Sequence, residues 1–308
     1  MRERLPRWLL LVLSGFFCLV FPFALIGLAL NIQPPVPTQV VGSGMLFIEG
    51  SVLIVAGIVL CGYARALLAA VFVIVLSYGV EALGVNTGIP FGVYRYTAML
   101  QPQLPGGVPL PVMFAWVLIV FGAYALVKRS TAARRGIGIG TALLGAVLAV
   151  MQDLAIEPVA AHVVFYWQWL AAGRVNYYGI PLANFVAWFV VTFMLLLLVD
   201  MVFGWGNGQG QHEPGAWNAE QERGRMGRME QSGKMERSGG DRWMSWMSEM
   251  PWLSQRAVLV PRILFSCSLL MFGLVDLTHR YYWGAGMALC AGIFICGIWG
   301  PHVFSRHD

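Results

Sequence analysis

The chain has 308 residues, 58% hydrophobic and only 11% charged, where an ordinary soluble domain carries about a quarter charged residues. Its mean hydropathy is +0.69 and its formal net charge +5. This composition excludes a water-soluble globular protein and points to an all-α, polytopic membrane helical bundle.

Apolar runs cover 8–30, 44–62, 64–84, 112–127, 137–152, 183–203, 258–276 and 283–299. A helix needs roughly 17 to 25 residues to cross a hydrocarbon core about 30 Å thick, so the runs predict about eight transmembrane helices, 112–127 and 137–152 being the shortest. The start MRERLPRWLL has the basic character of a secretory signal. The apolar run behind it is too long, and no A-x-A-like site closes it, so it reads as a retained first helix. With the N-terminus cytoplasmic, eight spans return the C-terminus to the same side. All but Arg95, Arg174 and Arg280 of the 20 Lys and Arg residues then fall in cytoplasmic segments, as the positive-inside rule requires. The net charge is thus an effect of topology, and nucleic-acid binding is not needed to explain it.

Three regions follow. Residues 1–204 form a six-helix core with two outer loops, 85–111 and 158–182. Apolar and rich in Gly and Pro, these loops suit lids folded back over the helix ends better than extensions into water. Residues 205–257 read as a disordered, basic cytoplasmic loop, and 258–308 as a C-terminal transmembrane hairpin. Cys18, Cys61, Cys267, Cys290 and Cys296 lie in apolar runs without C-x-x-C spacing and read as small buried hydrophobes.

The two outer loops carry an internal echo. GVPLPVMFAW (107–116) and GIPLANFVAW (179–188) agree at Gly, Pro, Leu, Ala and Trp, and Gly107 stands as far after Glu81 as Gly179 does after Asp153. The same spacing sets Tyr94 on Tyr166. Two related helix–loop–helix units are expected.

The acids mark the site. Counted from the apolar runs, Glu49, Glu81, Asp153, Glu157 and Asp276 fall in one layer near the outer ends of four helices, while Asp200 lies at the inner end. An ionisable group inside a span needs a polar cavity or a partner and is a functional-site candidate by default. Arg95 and Arg174 are expected beside these acids. The histidines have no zinc spacing, and no phosphate-binding glycine loop or nucleophile elbow is present. No metal site is expected.

The blocks EALGVNTGIPFGVYRYTAMLQPQLPGGVPLPVMFAW and DLAIEPVAAHVVFYWQWLAAGRVNYYGIPLANFVAW resemble the two signature blocks of the integral-membrane carotenoid biosynthesis proteins that include the carotenoid 1,2-hydratases. Two positions depart from that pattern: Glu157 stands where the family has Asp before Pro, and Ala187 where it has Gly. The resemblance implies a multi-pass membrane enzyme that adds water across the terminal C-1,2 double bond of an acyclic carotenoid, without a cofactor. Its implied partners are a ψ-end polyene substrate, membrane lipid and other carotenoid enzymes. Protonation at C-2 makes a tertiary cation at C-1. Glu81 or Asp153 is then the proton donor and Glu157 or Glu49 the group that positions water. Tyr94, Arg95, Tyr96, Trp116, Tyr166, Tyr177, Tyr178, Asn184 and Trp188 are candidates for lining the end-group pocket, aromatic faces attracting cations. A carotenoid cyclase or other isoprenoid-modifying enzyme using the same pocket, and a proton-coupled transporter with the acids as relay, are the competing readings.

Overall fold

A computed structural model describes residues 4–128, 138–204 and 257–303, the side chains of Arg4 and of 298–303 excepted. The loop expected over 205–257 lies, apart from Ala257, outside the described residues. Eight helices are described: α1 Arg4–Ala29, α2 Thr38–Cys61, α3 Tyr63–Thr87, α4 Leu110–Val127, α5 Ile139–His162, α6 Leu182–Gly204, α7 Leu259–Thr278 and α8 Tyr282–Val303. Among the described residues seven are long and apolar enough to cross a membrane, and the apolar stretch of α8, Tyr282–Gly297, is shorter. The chain is a multi-pass helical bundle.

Helix α4 is the centre of the bundle. It packs against α2, α3, α5, α6 and α7, and it is hydrophobic on every face, as a helix surrounded by protein must be. In lipid no hydrophobic drive separates one apolar surface from another, so close approach at small residues does the packing. Gly50 of α2 lies against Phe114 of α4: a Cβ there would stand 2.7 Å from the Phe114 Cβ and 2.8 Å from its carbonyl oxygen. At one end, α4, α5 and α6 are tied by Asp200. Its carboxylate pairs with Lys128, accepts the Tyr124 hydroxyl at 2.8 Å and caps the Gly138 N–H at 2.9 Å.

The other end carries six short strands: β1 Tyr94–Tyr96, β2 Gln103–Leu104, β3 Val108–Pro109, β4 Trp167–Trp169, β5 Asn176–Tyr177 and β6 Ile180–Pro181. They fall into two like units. In each, a long helix leads to a single strand, a tiny hairpin and a second helix, and Leu110 begins α4 at the position corresponding to Leu182 in α6. The units meet through β1 and β4, which pair antiparallel with Tyr94 opposite Trp169 and Tyr96 opposite Trp167. The echo in the sequence is therefore an echo in the fold.

Several boundaries move. Helix α2 begins at Thr38, right after Pro37, rather than at the apolar run, so Glu49 lies about three turns inside it instead of near its end. Helix α5 runs on through Asp153, Glu157 and Pro158 to His162, so residues 158–162 are helix rather than loop. Pro158 has no N–H to give the carbonyl of Leu154, and the Tyr177 hydroxyl donates to that oxygen instead, at 3.0 Å. None of the cysteines is buried: Cys18, Cys290 and Cys296 are exposed and Cys61 and Cys267 are half-buried, since lipid is as hospitable to a thiol as a core.

Two stability effects follow. Gly50→Ala forces α2 and α4 apart against backbone and should cost about 1–3 kcal/mol, read as a lower thermal midpoint in detergent. Tyr177→Phe should cost about 1 kcal/mol, and that cost should shrink in a Pro158→Ala background, where the amide donor is restored; equal costs in both backgrounds would refute this role for the Tyr177 hydroxyl.

Candidate active site

Glu81 sits in the last two turns of α3 and is 4% exposed. Its Oε2 accepts the hydroxyls of Tyr94 at 2.5 Å and Tyr96 at 2.9 Å, and its Oε1 accepts the indole N–H of Trp116 at 2.9 Å. Tyr94 and Tyr96 are alternate residues of a strand and so face the same way. Gly84, one turn after Glu81, makes room for them: a Cβ there would stand 2.9 Å from the Tyr94 hydroxyl. Burial first, and then the charge of Glu81, hold both phenols well above the ordinary tyrosine range, so they stay protonated donors.

The second unit builds the other wall. Asp153 and Glu157 lie one turn apart on α5, 1% and 2% exposed. Glu157 Oε2 accepts the indole N–H groups of Trp167 and Trp169, both at 3.0 Å. The amide of Asn184, near the start of α6, divides its two hydrogens between Glu157 Oε1 and Asp153 Oδ2, each at 3.0 Å. Across the join, Trp116 and Trp188 stack with centroids 4.0 Å apart and planes at 8°. Three buried carboxyl groups from α3 and α5 therefore cluster beneath the strands, and no ion pair reaches any of them among the described residues.

Other candidates stand apart. Arg95 does not pair with an acid: its guanidinium binds Gln168 across the strand pair, at 2.8 and 3.1 Å. Arg174 is exposed and makes no ion pair among the described residues. Both therefore leave the expected partnership with the acids unmade, the outward side of the strands giving them water instead. Tyr166 is not the counterpart of Tyr94. The strand of the second unit is set one residue later, which turns alternate side chains to the opposite face, so Trp167 and Trp169 take the roles of the tyrosines and Tyr166 turns to Gly42 of α2. Burial, and then Glu49, raise the Tyr166 phenol. Glu49 is buried, but its Oε1 has no hydrogen-bond partner, and it makes no bond to the other acids. Asp276 is fully buried between α7 and α8, both oxygens without partners.

Tyr178 accepts the Trp283 N–H and the His162 ring at its hydroxyl and carbonyl respectively, linking the second hairpin to the α7–α8 turn. Trp167 and Trp169 were not among the expected site residues. The signal for them was present: W-Q-W repeats the alternate-aromatic pattern of Y-R-Y, which in a strand aims two aromatic side chains at one target. Among the described residues no group of three or more His, Cys, Asp or Glu side chains could hold a metal ion.

Comparison with known proteins adds to this geometry. No solved structure matches the chain. Bisanhydrobacterioruberin hydratase of Haloarcula japonica is 35% identical over 153 residues, 49% of this chain and 50% of that protein, so the chain spans about half the length of that curated relative. The family described as carotenoid biosynthesis protein matches residues 42–217, a stretch that contains Glu81, Asp153, Glu157, Asn184 and both strand-bearing loops. With more than half of its length matched, the chain belongs to the carotenoid biosynthesis protein family.

Proposed function

We propose that this protein hydrates the terminal C-1,2 double bond of an acyclic carotenoid end group, with Asp153 as proton donor and Glu157 as the base that activates water. The observation that carries the reading is the uneven supply of donors to three neighbouring carboxyl groups. Glu81 and Glu157 each accept three hydrogen bonds, an arrangement that suits an ionised carboxylate. Asp153 accepts one, so it is the group left to bear a proton, and like charges this close cannot all ionise in a dry site.

The steps balance without any other reagent. The Asp153 carboxyl gives its proton to C-2, and the π electrons of the double bond form the new C–H bond. The tertiary cation at C-1 is stabilised by the fixed charge of Glu81 and by the faces of the surrounding aromatic rings. Water attacks C-1 while Glu157 takes its proton, leaving a tertiary alcohol. Proton return from Glu157 to Asp153, one helical turn away, restores the start. The strand-bearing end is the non-cytoplasmic one in this reading. No cofactor enters these steps.

The test is mass-resolved pigment analysis in a host making lycopene-type polyenes. Wild type should yield a product one water heavier than its substrate. Asp153→Asn and Glu157→Gln should each lower its formation on the order of 10²-fold or more, the usual worth of a general acid or base. A product isomeric with the substrate would indicate cyclisation, and wild-type product from both variants would remove the assignment.

A further inference from the structure

Outside the acid cluster, an apolar groove of about 340 Å³ runs along the bundle between α5, α6 and α8, lined by Val147, Met151, Leu154, Phe185, Phe189 and Met287 among others. From Leu154 to Val147 it extends about 10 Å along the helix axis. At roughly 30 Å³ for a water-sized group, its volume holds on the order of ten heavy atoms. That is about two isoprene units, the end of a polyene rather than the whole of one.

The groove and the acid site share a wall. Leu154 follows Asp153, and Phe185 follows Asn184. Tyr177 stands on both lining residues: its hydroxyl bonds the Leu154 carbonyl at 3.0 Å, and its ring meets Phe185 edge to face at 5.6 Å. The same ring packs on Tyr178 at 4.7 Å, whose hydroxyl accepts the Trp283 N–H in the first turn of α8 at 3.2 Å. Tyr178 holds a positive φ of 50°, a conformation that costs an aromatic residue energy and that the first unit gives to Gly106, at φ 80°. The strain fixes the Tyr177 ring against the lining residues Leu154 and Phe185.

We propose that this groove seats the two isoprene units next to the reacting end group of the polyene substrate, with Tyr177 marking where the chain passes from the groove toward Asp153. The proposal rests on the hydration reading for its occupant. The lining is apolar, the groove opens on the outside of the bundle, and two of its lining residues, Leu154 and Phe185, directly follow Asp153 and Asn184 in the chain. A lipid acyl chain is the competing occupant.

The test measures binding separately from turnover. Full-length protein in phosphatidylcholine nanodiscs is titrated with lycopene, and the circular dichroism induced in its visible band reports a fixed, chiral seat. Val186→Trp, which fills the groove from α6, should weaken this binding by about tenfold or more, and Val147→Trp, from α5, should do the same and serves if the first variant does not fold. Val12→Trp on α1, which packs on α2 and α7 and does not line the groove, should bind as wild type. Asp153→Asn should bind as wild type and fail to hydrate. Undiminished dichroism in the two groove variants would give the groove to lipid and overturn the proposal, as would no induced signal in wild type or equal loss in Val12→Trp. A wild type that binds through the groove but yields no water adduct would refute the hydration reading and leave the seat standing.

Discussion

Three buried carboxyl groups that form no ion pair among the described residues impose the rest of this structure. An unpaired carboxylate taken out of water is costly, and in a span the helix backbone cannot relieve it, because its own N–H groups are already used. Relief comes from neutral donors on the loops: Tyr94 and Tyr96 above Glu81, Trp167 and Trp169 above Glu157. The loops are consequently held down. Both ends of every such bond would be stranded if a strand lifted, so the lids and the acids stabilise one another. The pairing of β1 with β4 then joins the two lids into a single cover.

The proposed chemistry lies where the two units differ. A perfect duplicate would set two equivalent acids face to face, and Glu81 and Asp153 do hold corresponding positions. The second unit adds Glu157 where the first has Val85, and Asn184 where the first has Val112. These two changes convert a matched pair into a set with distinct environments. Asn184 shares its amide between Asp153 and Glu157 and fixes them beside each other, while the two indoles donate to Glu157 alone. Environments that treat neighbouring carboxyls differently are what separates an acid from a base.

Much of this was legible in the sequence because membrane helices are written in long runs and because an acid inside such a run is conspicuous. The helix count, the two related units and a layer of five acids that includes Glu81, Asp153 and Glu157 follow from those signals, whereas their separation from Glu49 and Asp276 does not. The course of α5 past Pro158 did not, since the rule that proline ends a helix has an exception where another donor serves the orphaned carbonyl, and Tyr177 lies far along the chain from Leu154. The place of Glu49 was misjudged because α2 starts in the polar stretch Thr38–Gln39, ahead of the apolar run that marked it. The part played by Trp167 and Trp169 was hidden by a one-residue slip between the units: matching by sequence aligns Tyr166 with Tyr94, whereas the alternation of a strand decides which side chains point down.

The proposed hydration has to bring two immiscible reactants together. In the proposed reaction water comes from the strand-bearing end and the polyene comes sideways, from lipid. A pocket open to both at once would let water reach a cation before the end group was oriented, or let lipid fill the place of water. Tyr177 stands at the meeting of the two routes, bonded to α5, packed on α6 through Phe185 and braced on α8 through Tyr178. Its aromatic body presents hydrocarbon to the groove while its hydroxyl satisfies the backbone on the polar side. A residue with one apolar face and one donor is what such a boundary requires, and the strained turn at Tyr178 is the cost of holding it there.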